Sequence, residues 1–382
     1  DFHQFYVTSP VCSPSRAGIL TGAFPARHNI LAQLEMRLNY RIGAADWLDP
    51  EAPSLPRILQ NAGYKTGHFG KWHLVEEAKN TPDAPFVTEY GFDVAEPMRG
   101  PWPGLGETLP KTTIRNVFER AAEFIEESRD VPFFLNLSMH ESHVPVGPTP
   151  EAYAANSHIS NERKRQYAGV ITDADNGVGL IIQTIRELGL ENNTIMIFAS
   201  DNGPAPLRDD PDHMYYYNYG STDGKRGGKG TLYEGGVRMP LIIRWPGKTP
   251  PGMIDKTTVV SAVDLLPTLV SIVHGTLPSN YIADGQNIQR ALLGKPVRRE
   301  SPIFWYYMKK FAIRDGEWKL IADSSLNNAE LYNIANDPLE EINLAEINTA
   351  TLNKLKLKIS EWRESLPKNV NKDCISAYRP DQ

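Results

Sequence analysis

Thr194-Ile-Met-Ile-Phe-Ala-Ser-Asp-Asn-Gly203 is an apolar run that ends on a carboxylate, an amide and a glycine. Asn192-Asn193 turns the chain into it, and Thr194 to Ser200 reads as a buried strand. Upstream lies a long amphipathic helix, Arg163 to Leu188, with Ile171, Ala174, Val178, Ile181, Ile185 and Leu188 on one side. The same pairing recurs outward in both directions. Thr112 to Ser128 sets Val117, Ala121, Phe124 and Ile125 at helical spacing, and Phe133-Phe-Leu-Asn-Leu-Ser-Met139 follows as a second buried strand. A short helix from Ser54 to Asn61, with Pro53 before it and Gly63 as its stop, leads into a strand at Lys65 to Phe69. Pro240 to Trp245 is strand-like and Ala262 to Val273 helical. Apolar rather than alternating strands in this rhythm predict an α/β fold, a mostly parallel central sheet flanked by helices on both faces. Past Arg298 the texture changes to short strands, Ile303 to Tyr307 and Trp318 to Ala322, then a polar loop and a last helix, Thr351 to Ser365. We therefore expect a main domain over 1–298 and a small C-terminal α+β subdomain over 299–382.

Composition narrows the function. The 382 residues carry 40 Lys and Arg against 46 Asp and Glu, a net charge of −6, which argues against a nucleic-acid binder with its basic footprint. At 41% hydrophobic residues there is material for a sizeable core. Two cysteines, Cys12 and Cys374, exclude a disulfide scaffold or a cysteine-rich zinc module. No apolar run approaches the roughly 18 residues of a membrane helix, and no internal repeat is visible. The chain opens at Asp1 without an initiator Met, so a processed or truncated start is expected.

Ligands of such sheets bind at the carboxyl ends of strands, and reactive residue types fall there. Asp201-Asn202-Gly203 follows a strand; its oxygens suit a hard cation, Ca²⁺ or Mg²⁺, although the same triplet is also an ordinary tight turn. His140 and His143 follow another strand as a pair able to bind metal or to serve as acid and base, or simply to be structural. Lys71 and His73 lie two apart on a segment read as extended, which sends both to one side as a possible anion clamp. Gly227-Gly-Lys-Gly-Thr231 lacks the spacing of a phosphate loop, and reads instead as a loop presenting Lys229 to an anion.

Ser9-Pro-Val-Cys-Ser-Pro-Ser-Arg-Ala-Gly-Ile-Leu-Thr-Gly22 is the most informative segment. Pro10 and Pro14 hold the chain extended around Cys12. Ser15 is expected to cap a helix starting at Arg16, which leaves Cys12 just ahead of a helix N-terminus that favours anions. A nucleophile at an anion site is the expectation, with an ordinary buried cysteine as the alternative.

Cys12-Ser-Pro-Ser-Arg16 resembles the signature Cys-x-Pro-Ser-Arg of the formylglycine-dependent (type I) sulfatases. Gly63-Tyr-Lys-Thr-Gly-His-Phe-Gly-Lys-Trp-His-Leu74 resembles that family's second signature. Asp201-Asn202-Gly203, the loop 228–238 and Glu330-Leu-Tyr with Asn336-Asp-Pro-Leu-Glu340 are similar to further landmarks, in the family's order and over nearly the whole chain. The resemblance implies an alkaline phosphatase-like fold and a sulfuric ester hydrolase. It implies that Cys12 is converted by a maturation enzyme to formylglycine, whose hydrated aldehyde attacks sulfur. Arg16 would stabilise the diol, His73 would contact it and assist its regeneration, and Lys71 and Lys229 would hold sulfate oxygens. His143 would protonate the leaving oxygen, with His140 beside it, and Asp201, Asn202 and residue 12 would ligate calcium.

One departure concerns the metal. The family takes two further carboxylates from an Asp-Asp pair upstream of the signature; none lies between Asp1 and Cys12, and Asp209-Asp210 sits in a later loop. Truncation is the expected reason. For the substrate a sulfated glycan is expected: Arg37, Arg41, Arg99, Trp102, Arg208 and Tyr215 to Tyr217 in rim loops could stack on sugar rings or read acidic groups, or simply pack their loops, with His140, Arg99 and Trp102 as the candidate contacts. The resemblance also implies a periplasmic or secreted protein. A phosphate or phosphonate ester hydrolase of the same superfamily, or a non-catalytic glycan-binding relative, stands as the alternative.

Overall fold

The computed structural model describes residues 1–75, 81–98, 111–143, 146–206, 219–282 and 284–379. Its strands are β1 (Phe2–Tyr6), β2 (Lys65–Lys71), β3 (Val94–Met98), β4 (Phe133–Ser138), β5 (Met196–Ala199), β6 (Arg238–Arg244), β7 (Val260–Ser261), β8 (Ile303–Tyr307), β9 (Lys310–Asp315), β10 (Trp318–Asp323) and β11 (Ala329–Asn333).

The main body holds two sheets. In the order β3-β2-β4 every pairing is parallel, and successive residues of β2 serve opposite faces. Phe69 packs on Phe124 of the Lys111–Glu127 helix, with ring centroids 5.7 Å apart. His68, on the other face, meets Trp72 and Phe92 at 5.0 and 5.5 Å. Helices therefore cover one side and an aromatic layer the other. The second sheet runs β5-β6-β1-β7, with β7 parallel to β1. β6 is antiparallel to both of its neighbours, an orientation its sequence does not disclose. The connection from β5 stays at one end of the sheet, where Gly203 N–H donates to Gly236 O at 3.1 Å, so β6 has to start where β5 stops.

Burial of the strands departs from expectation. The apolar runs Thr194–Ser200 and Phe133–Met139 predict buried strands; β4 is intermediate throughout, and Phe198 in β5 and Ile242 in β6 are 44% and 49% exposed. An apolar run shows that a strand belongs in a sheet, not that both sides of that sheet are covered. The Glu162–Glu187 helix likewise buries Ile181 and Ile185 while Ile171 is exposed. The C-terminal strands form an antiparallel meander, β8-β9-β10-β11, followed by the Thr349–Glu364 helix. The meander joins the main core directly: Trp305 donates its indole N–H to Val7 O at 2.7 Å and packs edge-on to Tyr6. Strands β1, β3, β7, β9 and β11 were not read from the sequence.

Candidate active site

The carboxyl ends of β2, β4 and β5 open on a cleft of about 770 Å³. Cys12 enters it at the start of a helix rather than ahead of one. The helix spans Cys12–Thr21, four residues earlier than expected, and its N-cap is Val11 without a side-chain cap. Ser15 instead donates to Ser9 O at 2.7 Å. Pro14 is compatible because a proline in the first turn gives up an N–H that has no helical partner.

β2 delivers Lys71, which is 3% exposed, to the same cleft. Gly70 makes this possible with φ at +92°: a Cβ there would stand 2.2 Å from Ser138 O on β4. His73 does not continue an extended segment. Its φ of +52° lies in the left-handed region, uncommon for a non-glycine residue, and turns its ring onto Cys12, with Nδ1 3.1 Å from Sγ. Lys71 and His73 thus meet in the site through a backbone reversal, not through strand alternation.

Arg16 ties three segments together. Its Nε donates to Asp201 Oδ2 at 2.9 Å and its Nη1 donates to Lys71 O at 2.7 Å. Lys229 arrives on a loop anchored to both neighbours: its own N–H donates to Pro204 O, and Gly230 N–H to Pro10 O, each at 2.9 Å. His140 and His143 stack with centroids 4.9 Å apart, and both line the cleft.

The charges act on each other. Burial pushes the Cys12 thiol up, but the facing His73 and Lys71 overrule it and bring its pKa down to about 5. Burial also works against an ionised Asp201, yet Arg16, Lys71 and Lys229 hold the carboxyl below its usual range. Lys229 is lowered by burial, with Lys71 and Arg16 adding and Cys12 and Asp201 opposing. His140 is well below its usual value through burial and the nearby His143 and Lys71. Arg16, Lys71 and Lys229 thus face the Asp201 carboxylate and the Cys12 thiolate, three positive charges against two negative, so the local field stays positive in a chain of net charge −6. Such an arrangement has the charge and geometry to bind an oxyanion beside a nucleophile.

Two oxygen donors of the kind a hard cation takes lie here. Asn202 donates its amide to Gly203 O, which leaves a buried Oδ1 without a hydrogen-bond partner, and Asp201 adds a carboxylate beside it. Both are oxygen ligands of the kind calcium takes, two of the six to eight it needs. Among the described residues no group of three or more His, Cys, Asp or Glu is arranged to hold a metal.

Some expected residues lie elsewhere. Arg37 and Arg41 are exposed on the Met36–Ile42 helix and do not line the cleft. Arg99, Trp102, Arg208, Tyr215 to Tyr217 and Asp209-Asp210 fall outside the described residues. Lys225, Pro338 and Leu339 line the cleft without having been singled out as site residues. Lys225 stands four residues before Lys229, and Pro338-Leu339 lies inside the quoted stretch 336–340, so proximity to a motif was the available signal.

Residues 1–276 match the family model described as Sulfatase, and residues 226–365 match the model described as N-sulphoglucosamine sulphohydrolase, C-terminal. An N-acetylgalactosamine-6-sulfatase of Canis lupus familiaris is 30% identical over 338 residues, 80% of this chain and 61% of that protein. An arylsulfatase of Hemicentrotus pulcherrimus is 28% identical over 348 residues, 83% of this chain and 60% of its own length. The chain therefore spans about three fifths of these curated relatives. Among solved structures, Ps i-CgsB in complex with k-i-k-neocarrahexaose superposes with a TM-score of 0.78 at 26% identity, over 94% of this chain and 84% of that one.

Proposed function

Because the chain belongs to the sulfatase family, we propose that it hydrolyses sulfate monoesters of a sulfated carbohydrate. The observation that carries the reading is the convergence of Cys12, Arg16, Lys71, Asp201 and Lys229, from four segments, on one positively charged cleft, with His73 against Cys12. The carbohydrate half of the reading is supported by an N-acetylgalactosamine-6-sulfatase among the relatives and by the k-i-k-neocarrahexaose in complex with the structural neighbour.

In this reading residue 12, oxidised to formylglycine by a maturation enzyme, supplies a hydrated aldehyde as nucleophile, and calcium held by Asp201 and Asn202 supplies further positive charge. Lys71 and Lys229 bind the non-bridging sulfate oxygens, the buried Lys71 ammonium acting with little screening and the half-buried Lys229 with more. Arg16 orients Asp201 and the end of β2 together. His73 holds a proton at the attacking group of residue 12. His143 delivers a proton to the bridging oxygen, on which charge builds as the S–O bond breaks. We further propose residues 299–382 as the smaller subdomain and an extracytoplasmic location. No helix among the described residues is long and apolar enough to cross a membrane.

The test is turnover of aryl sulfate, aryl phosphate and glycan sulfates by the chain and by Cys12→Ala, with the mass of the residue-12 peptide measured alongside. Sulfate turnover that Cys12→Ala abolishes is expected. Faster phosphate turnover, or full activity of Cys12→Ala, overturns the reading.

A further inference from the structure

A cluster of buried charges, Lys319, Glu234 and Glu340, adjoins the cleft without lining it; Arg238 connects the two. Lys319 in β10 has a side chain with no exposed surface, and its Nζ stands 2.8 Å from Glu234 Oε1 and 2.9 Å from Glu340 Oε1. Both glutamates are fully buried too. Glu340 uses its other oxygen to accept the Glu234 backbone N–H at 2.6 Å. Glu234 Oε2 accepts Tyr6 O–H at 2.6 Å and faces Arg238 at 3.4 Å. Lys319 and Arg238 therefore balance the two carboxylates, and Arg314 lies over the Tyr6 ring at 4.5 Å. The two carboxylates shift apart. Against burial, Lys319 and Arg314 hold Glu234 below the usual range, whereas burial pushes Glu340 up despite Lys319.

Buried ion triads are a poor source of stability, since desolvation offsets most of the attraction. Their geometric constraint is strong, because removing one member leaves a charge without a partner. What is constrained here is the backbone that carries Lys229. Glu234 opens the short Glu234–Val237 helix. Gly235 N–H donates to Arg226 O at 2.8 Å, which closes the loop holding Lys229, and Gly236 O receives Gly203 N–H from the Asp201 turn. Elsewhere the loop is held by backbone hydrogen bonds to Pro204 and Pro10 and, at its Arg226 end and at Tyr233, by side-chain bonds to Tyr332 and Glu330 of the C-terminal sheet; the Lys319 triad is the anchor at Glu234.

We propose that Lys319 is a positioning residue: through Glu234 and Glu340 it locks the C-terminal sheet onto the 226–237 loop and sets the place of the Lys229 ammonium. The catalytic consequence rests on the sulfatase reading; the mechanical one does not. Removal of Lys319 frees the loop at its Glu234 end, and Lys229 then meets the sulfate oxygens in only part of the population.

The experiment compares the full chain with Lys319→Met and with Lys319→Met/Glu340→Gln, in which a neutral amide replaces one of the two facing carboxylates. Hydrogen exchange of the peptide spanning 226–237 is read against that of β1, and kcat and KM for an aryl sulfate are measured on the same samples. Exchange of the loop is expected to accelerate about 10-fold or more in both variants while β1 stays protected. KM is expected to rise together with a loss in kcat/KM of about 10- to 100-fold, below the loss from deleting a donor outright. Partial unfolding would lower kcat alone. Unchanged loop exchange in a folded variant, or unchanged KM in a chain that turns over sulfate, overturns the proposal. If the unsubstituted chain hydrolyses no sulfate ester while loop exchange still responds, the sulfatase reading fails and the positioning role stands.

Discussion

Cys12 Sγ lies 3.1 Å from His73 Nδ1, and the imidazole reaches it only because the His73 backbone adopts a φ of +52°. A thiol buried beside an imidazole and an ammonium ionises early, with a pKa near 5. In chain whose Cys12 has not been converted, thiolate absorbance at 240 nm should rise through a pH of about 5 and be complete by neutrality. Cys374, pushed up to about 12 by burial, stays silent over that range. His73→Ala should move the inflection upward; an inflection in the ordinary thiol range in the unsubstituted chain would sink the pairing.

Asn202 Oδ1 is buried without a hydrogen-bond partner, next to the carboxylate of Asp201. Calcium at about 100 times its dissociation constant should therefore stabilise the chain by about 2.7 kcal/mol, an effect a chelator reverses. Asn202→Ala should bind calcium more weakly by calorimetry and show a smaller calcium-dependent rise in Tm. Equal calcium response in the variant would remove Asn202 from the metal site.

His143 stacks on His140 at the cleft wall. If it protonates the bridging oxygen, its value depends on the leaving group. His143→Ala should lose on the order of 10²-fold in kcat on sugar or alkyl sulfates and little on 4-nitrophenyl sulfate, whose phenolate leaves unassisted. A uniform loss across both classes would point to a structural role.

Gly70 and Gly63 both have positive φ, +92° and +88°, but only Gly70 faces an obstacle, Ser138 O at 2.2 Å from an added Cβ. Gly63→Ala should cost about 1–2 kcal/mol in urea unfolding, the price of the backbone conformation alone. Gly70→Ala should cost more, about 3 kcal/mol or above, and should displace Lys71 with a fall in activity. Equal costs would mean that β2 and β4 separate more easily than their packing implies.

Much of the site was legible because its parts are local. Cys12 to Arg16, Gly70 to His73, Asp201 to Gly203 and Gly227 to Thr231 are short stretches in which one or two residue types have restricted chemistry or backbone. Their assembly was less legible. Nothing in Trp72-His73 marks a left-handed residue, and Ser15 offered a plausible cap that the fold spends on Ser9 O instead. Lys319 is a lysine in an apolar strand, Trp318 to Ala322, and its partners lie 85 and 21 positions away.

Helical and strand periods determined by themselves that this chain alternates the two elements, where most of them lie, and which residue types end the strands. They did so because hydrogen-bond geometry repeats every few residues and leaves its trace in neighbouring side chains. Tertiary structure alone decided which faces are covered, that β6 runs against its neighbours, and that Arg16 joins Asp201 to the end of β2. Those relations link residues tens to hundreds of positions apart, and a local period carries no information about what packs across it.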